Sequence, residues 1–208
     1  VTKDATIREI HHRVKNNLQT VAALLRLQAR RMDSEAARLA LEEAVRRVGS
    51  IAIVHETLSQ AVEERVDFDE IVDPLGRMVT DVSAVGSRVR VRRVGSFGVL
   101  PSEAATALAM VLTEILQNAV EHGYDPDRAD ETGEIVLTAR RLVGRLHVTV
   151  DDDGQGLPEG FELDGSTNLG LSIVRTLVES ELGGQLSLGP RPDAPGTRAE
   201  VDVPVDER

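Results

Sequence analysis

The first 60 residues carry two helical stripes, and neither stripe can close a core by itself. Apolar side chains at Ile7, Ile10, Val14, Leu18, Val21, Leu24, Leu25 and Ala29 recur at steps of three and four, the period of a helix with one buried face. The pattern predicts a first helix running to about Arg31. Met32-Asp33-Ser34 then offers capping side chains to a second helix, apolar at Leu39, Leu41, Val45, Val48, Ile51, Ala52, Val54 and Leu58. Two amphipathic helices bury their stripes stably when one hairpin pairs with another as a four-helix bundle, so a homodimer through this hairpin is expected.

From Val66 the texture changes to shorter elements separated by Gly, Pro and Asp, which divides the chain into residues 1–65 and 66–208. The second part predicts a helix from about Asp69 to Val82, an alternating strand over Arg88 to Val94, and a helix from about Ser102 to His122 begun by Pro101. Strands over Glu134 to Leu142 and Arg145 to Asp151 flank a Gly144 turn. A loop leads to about Asn168, a helix to about Leu182, and strands over Gln185 to Leu188 and Arg198 to Val203. The expected class is therefore α+β, a helical hairpin followed by a mixed α/β domain.

Charge is divided the same way. Residues 1–65 hold eleven basic and nine acidic groups, and residues 66–208 hold thirteen and twenty-six, within a total of -11. An acidic second domain with four aromatic residues in the whole chain argues against phosphate-backbone binding and base stacking, so no direct nucleic-acid partner is expected. The longest apolar candidate, Ala104 to Leu116, is interrupted by Thr106, Thr113 and Glu114 and falls short of the roughly 18 residues that cross a bilayer, so no membrane role is expected. With no cysteine, disulfides and thiolate chemistry are excluded, and a reducing cytoplasm is the simplest location. The start at Val1-Thr2-Lys3-Asp4 has no signal-peptide pattern and reads as a point within a longer chain, with a sensor region upstream.

Three clusters in the second domain carry chemistry. Glu114 and Asn118 are four apart on one helix face, with His122 one turn further, on a helix otherwise filled by Val111, Leu112, Ile115, Leu116, Ala119 and Val120. A half-buried carboxylate and amide there call for a ligand or ion, and oxygen-liganded Mg²⁺ meets the need. Asp152-Asp153-Gly154-Gln155-Gly156 ends a strand. It is either a tight turn or a backbone that lets a nucleotide approach, with one carboxylate taking a hydrogen bond from an adenine amino group. Asp152 shares the inward side of Val150 and is preferred over Asp151 and Asp153. Asn168-Leu169-Gly170-Leu171 opens a helix whose first amides form a phosphate site or a structural cap, and Thr197 after Gly196 lends support.

On the first helix, at about 100° per residue, His11 lies about 40° from Ile7 and His12 about 140°. His11 belongs to the core margin and His12 faces solvent, where a neutral imidazole, abundant near neutral pH, can accept a phosphoryl group. Glu9 on the same side either orients the imidazole or forms a capping box with Thr6. Asn16 either positions a water for the reverse hydrolysis or is a surface asparagine.

Ile10-His11-His12-Arg13-Val14-Lys15-Asn16-Asn17-Leu18-Gln19 resembles the phosphoacceptor box of the HWE-related branch of sensor histidine kinases, most closely its PdtaS-type cytosolic group. The likeness extends from about Ile7 to Val203. It implies a hairpin that dimerises as a four-helix bundle, followed by a Bergerat-type α/β sandwich ATP-binding domain. Carried over by position, His12 is the phosphorylated residue, Asn118 the Mg²⁺ ligand and Asp152 the adenine contact. Gly154, Gly156 and Gly170 are lid hinges, and His122 lies near the phosphates. Glu114 matches the acidic residue that related ATPases place before their metal-binding asparagine, suited to polarise the metal shell or take the imidazole proton. Two positions depart from the conventional pattern: Arg13 stands where an acidic residue follows the histidine, and Asn168-Leu169-Gly170 replaces Gly-x-Gly.

The expected function is a two-component histidine kinase core that uses Mg-ATP to phosphorylate His12 and passes the group to an aspartate of a response regulator receiver domain. That partner is expected to dock on the hairpin near Arg8, Arg13 and Lys15. The rival readings are a Bergerat-type ATPase with water as nucleophile and a nucleotide-binding dimeric scaffold without histidine phosphorylation.

Overall fold

A computed structural model describes residues 3–60, 65–82, 88–125, 127–128, 131–163 and 169–206. Helices α1 (Lys3–Ala29) and α2 (Glu35–Leu58) form the predicted hairpin. Ser34 caps α2, its hydroxyl oxygen accepting from the Ala37 amide at 3.4 Å. Because α1 begins before Thr6, a Thr6–Glu9 capping box has no helix start to cap.

A five-stranded sheet follows, in the order β2 (Val89–Val94), β4 (Gly133–Leu142), β5 (Arg145–Asp152), β7 (Thr197–Pro204) and β6 (Gln185–Pro190). Only the β2–β4 pair is parallel. Alternation sorts the strands cleanly. Ile135, Leu137, Leu146, Val148, Val150, Val201 and Val203 are buried on one face, whereas Arg145–Asp202, Arg198–Asp151 and Arg92–Glu134 pair on the other. Helices α3 (Asp69–Val82), α4 (Ser102–Gly123) and α5 (Leu169–Thr176) cover the apolar face, and α5 continues into a turn of π-helix over Leu177–Glu181.

Two short strands escaped the sequence reading. β1 (Arg65–Asp67) pairs antiparallel with β3 (Val99–Pro101), so the expected division after residue 65 falls inside a paired strand. The hairpin also shares the domain's core: Val54 and Leu58 of α2 lie in the same buried cluster as Phe68, Ile71, Leu108 and Leu112. On α1 itself, Ile10, Val21 and Leu24 stay exposed, as does Leu39 on α2.

Candidate nucleotide site and phosphoacceptor hairpin

A cavity of about 640 Å³ opens between α4, the end of β5 and α5, a size suited to a small ligand. Ile115, Val150, Leu171, Leu188 and Ala199 give it an apolar floor, and Asn118, His122, Asp152, Gly156 and Thr197 join them in its wall.

The three consecutive aspartates have separate fates. Asp151 is held by Arg198 through two bonds, 2.6 and 2.8 Å. Asp153 accepts from the Tyr124 hydroxyl at 2.6 Å and the Glu134 amide at 2.9 Å. Asp152 alone lines the cavity, 4% exposed. Its Oδ1 accepts from the amides of Gly154 at 2.9 Å and Thr197 at 3.2 Å. Burial raises its pKa above the ordinary carboxylate value, and the two amides pull it partly back.

Close backbone approach fixes the turn. A Cβ on Gly154 would stand 2.2 Å from the Gly123 carbonyl oxygen, and one on Gly196 1.9 Å from that of Asp152. Gln155 adds two ties to the end of α4, its amide to the Gly123 carbonyl at 2.9 Å and its side chain to that of His122 at 2.8 Å. Tyr124 stands in the same wall. Its pKa is raised, first by burial and then by its bond to Asp153. Gly170 is buried at the start of α5 beside Leu171, while Asn168 lies outside the described residues.

Helix α4 serves two neighbours on adjacent faces. Ile115, Asn118, Ala119 and His122 line the cavity, whereas Glu114 and Glu121 bond arginines of α2, Glu121 lining the cavity as well. The two sets are offset by about one residue, or roughly 100° of rotation. Within the cavity set the Asn118 Nδ2 is buried without a partner among the described residues, an orphan that a bound ligand would satisfy.

Glu114 requires a correction. The ion or ligand expected beside its buried carboxylate is not needed, because Arg47 of α2 holds it: Nε donates to Oε1 at 2.5 Å and Nη2 to Oε2 at 3.3 Å. The pair lies 67 positions apart and has no local sequence signature. Its neighbour Arg46 donates to Glu121 at 3.3 Å. Neither arginine was singled out from sequence, nor was Tyr124, although as the chain's one tyrosine directly after a helix-ending glycine it offered a signal.

On the hairpin, His12 is exposed and His11 half-buried. The His11 and His55 Nδ1 atoms are 2.9 Å apart, one ring donating to the other. Burial, and then the charge of His11, lowers the His55 pKa. Glu9 accepts from Arg13 Nε at 2.7 Å, so in this structure its carboxylate is engaged by Arg13 rather than by the His12 ring. Lys15 is likewise paired with Glu56. Two of the three cations expected around the acceptor therefore have acidic partners.

Residues 9–83 match the family described as histidine kinase, and residues 103–207 match that of the histidine kinase-, DNA gyrase B-, and HSP90-like ATPases. The chain is 54% identical to the sensor histidine kinase PdtaS of Mycobacterium tuberculosis, and equally to that of Mycolicibacterium smegmatis, across all of its own length and 41% of theirs. It thus spans about two fifths of these relatives. The histidine kinase domain of a blue-light activated histidine kinase from Erythrobacter litoralis superposes with a TM-score of 0.69 at 26% identity, covering 97% of this chain and 92% of that one.

Proposed function

Because the chain belongs to the HWE-related sensor histidine kinases, joining their helical domain to an ATPase of the gyrase and HSP90 type, we propose that it autophosphorylates His12 from Mg-ATP. The phosphoryl group then passes to an aspartate of a response regulator. The observation that carries this reading is a cavity in which one buried carboxylate and one unpaired amide remain for a ligand, joined to a hairpin that displays a solvent-facing imidazole. Residues 1–65 form the phosphotransfer part and residues 66–208 the ATP-binding part.

In this reading Asp152 accepts from the adenine amino group over the floor of Val150, Leu171 and Ala199. Gly154, Gly156 and Gly170 let the backbone approach, and Asn168, Leu171, His122 and Thr197 complete the nucleotide contacts. Asn118 fits a Mg²⁺ site through its amide oxygen. Among the described residues no group of three or more His, Asp or Glu side chains could hold a metal alone, in keeping with an ion that takes most of its oxygens from phosphate and water. When bound, that ion neutralises phosphate charge. A neutral His12 ring nitrogen attacks the γ-phosphorus. The P–N bond forms, the bond to the β,γ-bridging oxygen breaks, and ADP leaves with that electron pair. The imidazolium proton goes to a base, for which Glu114 and Glu9 are the candidates once released from Arg47 and Arg13.

The apolar residues left exposed on α1 support dimerisation. Ile10, Val21 and Leu24 fall about 40–100° to one side of Ile7, on the flank away from His12 at about 140° on the other. A hairpin partner covers them while leaving His12 open to a receiver domain. No helix among the described residues is long and apolar enough to cross a membrane, and a cytoplasmic location belongs to the same proposal.

Incubation with γ-labelled ATP tests the reading. The expected product is protein-bound label that is lost in acid, survives base, and is missing from His12→Gln. Turnover of ATP without such label favours the plain ATPase, and nucleotide binding with neither favours the scaffold.

A further inference from the structure

Glu121 is the residue that both faces of α4 share. It lines the cavity, and its Oε1 accepts from Arg46 Nη2 of α2 at 3.3 Å and from the Gln117 amide. A triphosphate is strongly anionic, yet among the described residues the cavity lining holds no lysine or arginine, while Glu121, Asp125 and Asp152 are all acidic. Positions 126, 129–130 and 164–168, outside the described residues, carry no cation in the sequence. Charge balance therefore falls on guanidiniums just behind the wall. Arg191 is one, donating to the Asp152 backbone carbonyl at 3.3 Å. Arg46 is the other. It is 8% exposed, comes from the hairpin rather than the ATP-binding part, and among the described residues pairs with Glu121 alone.

We propose that Arg46 is a charge shield for the nucleotide cavity: by neutralising Glu121 it removes a carboxylate that would repel the phosphates, so retention of a nucleoside triphosphate depends on the hairpin being docked. The inference rests on the adenine-nucleotide reading above. The Glu121 side chain is 37% exposed, so solvent screens part of its charge, but a bare carboxylate in the cavity lining still repels phosphate and one paired with the buried Arg46 does so far less. A hairpin that swings away takes Arg46 with it and leaves Glu121 bare. Nucleotide occupancy and hairpin position are then linked in both directions. Adenosine carries no phosphate and is indifferent to the shield.

Titration calorimetry of ATP and of adenosine into the full chain, with Mg²⁺ present, tests this. Arg46→Gln lowers ATP affinity on the order of tenfold and leaves adenosine within about twofold. Adding Glu121→Gln to that variant restores ATP to within about threefold, because the charge to be shielded is gone. Equal losses for ATP and adenosine, an unchanged ATP affinity, or failure of the second substitution to restore it overturns the proposal. Should Arg46→Gln fail to fold, Glu121→Gln alone still decides: ATP affinity unchanged or raised supports the shield, and a tenfold loss refutes it. A wild-type chain that binds neither ligand refutes the nucleotide reading itself, whereas wild-type binding with an indifferent Arg46→Gln sinks this inference alone.

Discussion

Replacing Arg47 by methionine strips the Glu114 carboxylate of both bonds that hold it, at 2.5 and 3.3 Å. The two side chains are only 18% and 11% exposed, so water screens them weakly and leaving one member unpaired is costly. We expect a loss of about 3 kcal/mol, at the low end for a buried pair because some exposure remains. The reverse substitution is milder. Glu114→Gln leaves Arg47 its second partner, Glu43 at 3.3 Å, and glutamine still presents an acceptor, so its cost is about 1 kcal/mol. Urea unfolding followed by circular dichroism should resolve that difference of about 2 kcal/mol, and in thermal scans Arg47→Met should melt roughly 6–12 °C lower than wild type. Combining Arg47→Met with Glu114→Leu should recover most of the loss, since no buried charge is left behind. Equal costs for the two single variants, or a cost under about 1 kcal/mol for Arg47→Met, would refute the view that the hairpin neutralises Glu114.

Asp152→Asn is expected to weaken adenosine binding at least about tenfold without lowering the melting temperature. Burial raises the folded-state pKa of Asp152, so its contribution to stability is complete below the unfolded value near ~3.9 and is lost as pH rises through the folded one. A lower melting point with unchanged adenosine affinity contradicts this. His55 works in the opposite sense. Its pKa is depressed by burial and by His11, so stability should fall as pH drops below about 6.5 and continue falling until the folded value is passed. Melting curves between pH 7.5 and 5.5 should show a shallower slope for His55→Gln than for wild type, and identical slopes would count against the pair. Gly154→Ala drives a Cβ against the Gly123 backbone and should abolish nucleotide binding, whereas Gly160→Ala, at φ 76° with nothing within 4 Å, should cost only about 1 kcal/mol of strain. Comparable binding by both variants would disprove the close-approach argument.

Much of this fold was legible. Helix α3 spans Asp69–Val82 as its period predicts, and the boundaries of α4, β4 and β5 fall within a residue or so of expectation, because long elements with one apolar face announce themselves. β1 and β3 did not, since three residues give alternation too few terms and Pro101 was read as a helix start. The π-turn over Leu177–Glu181 continues a helical pattern and has no separate signature. In the cavity, strand parity was enough to separate Asp152 from the aspartates on either side. The partners of Glu114, Glu9 and His11 were out of reach for two reasons. Arg47 and His55 meet their partners only after distant segments dock, at separations of 67 and 44 residues, and the Glu9–Arg13 bond depended on rotamers that spacing alone does not choose.

The offset faces of α4 limit how this segment can change. Inserting or deleting a single residue between Glu114 and Glu121 would turn everything beyond it by about 100°, delivering Asn118 or Glu121 to the wrong neighbour while the helix itself remained intact. Substitutions can be absorbed there one at a time, but its length cannot vary. A change of register would uncouple hairpin from cavity and also turn the buried Leu116 and Val120 out of the core.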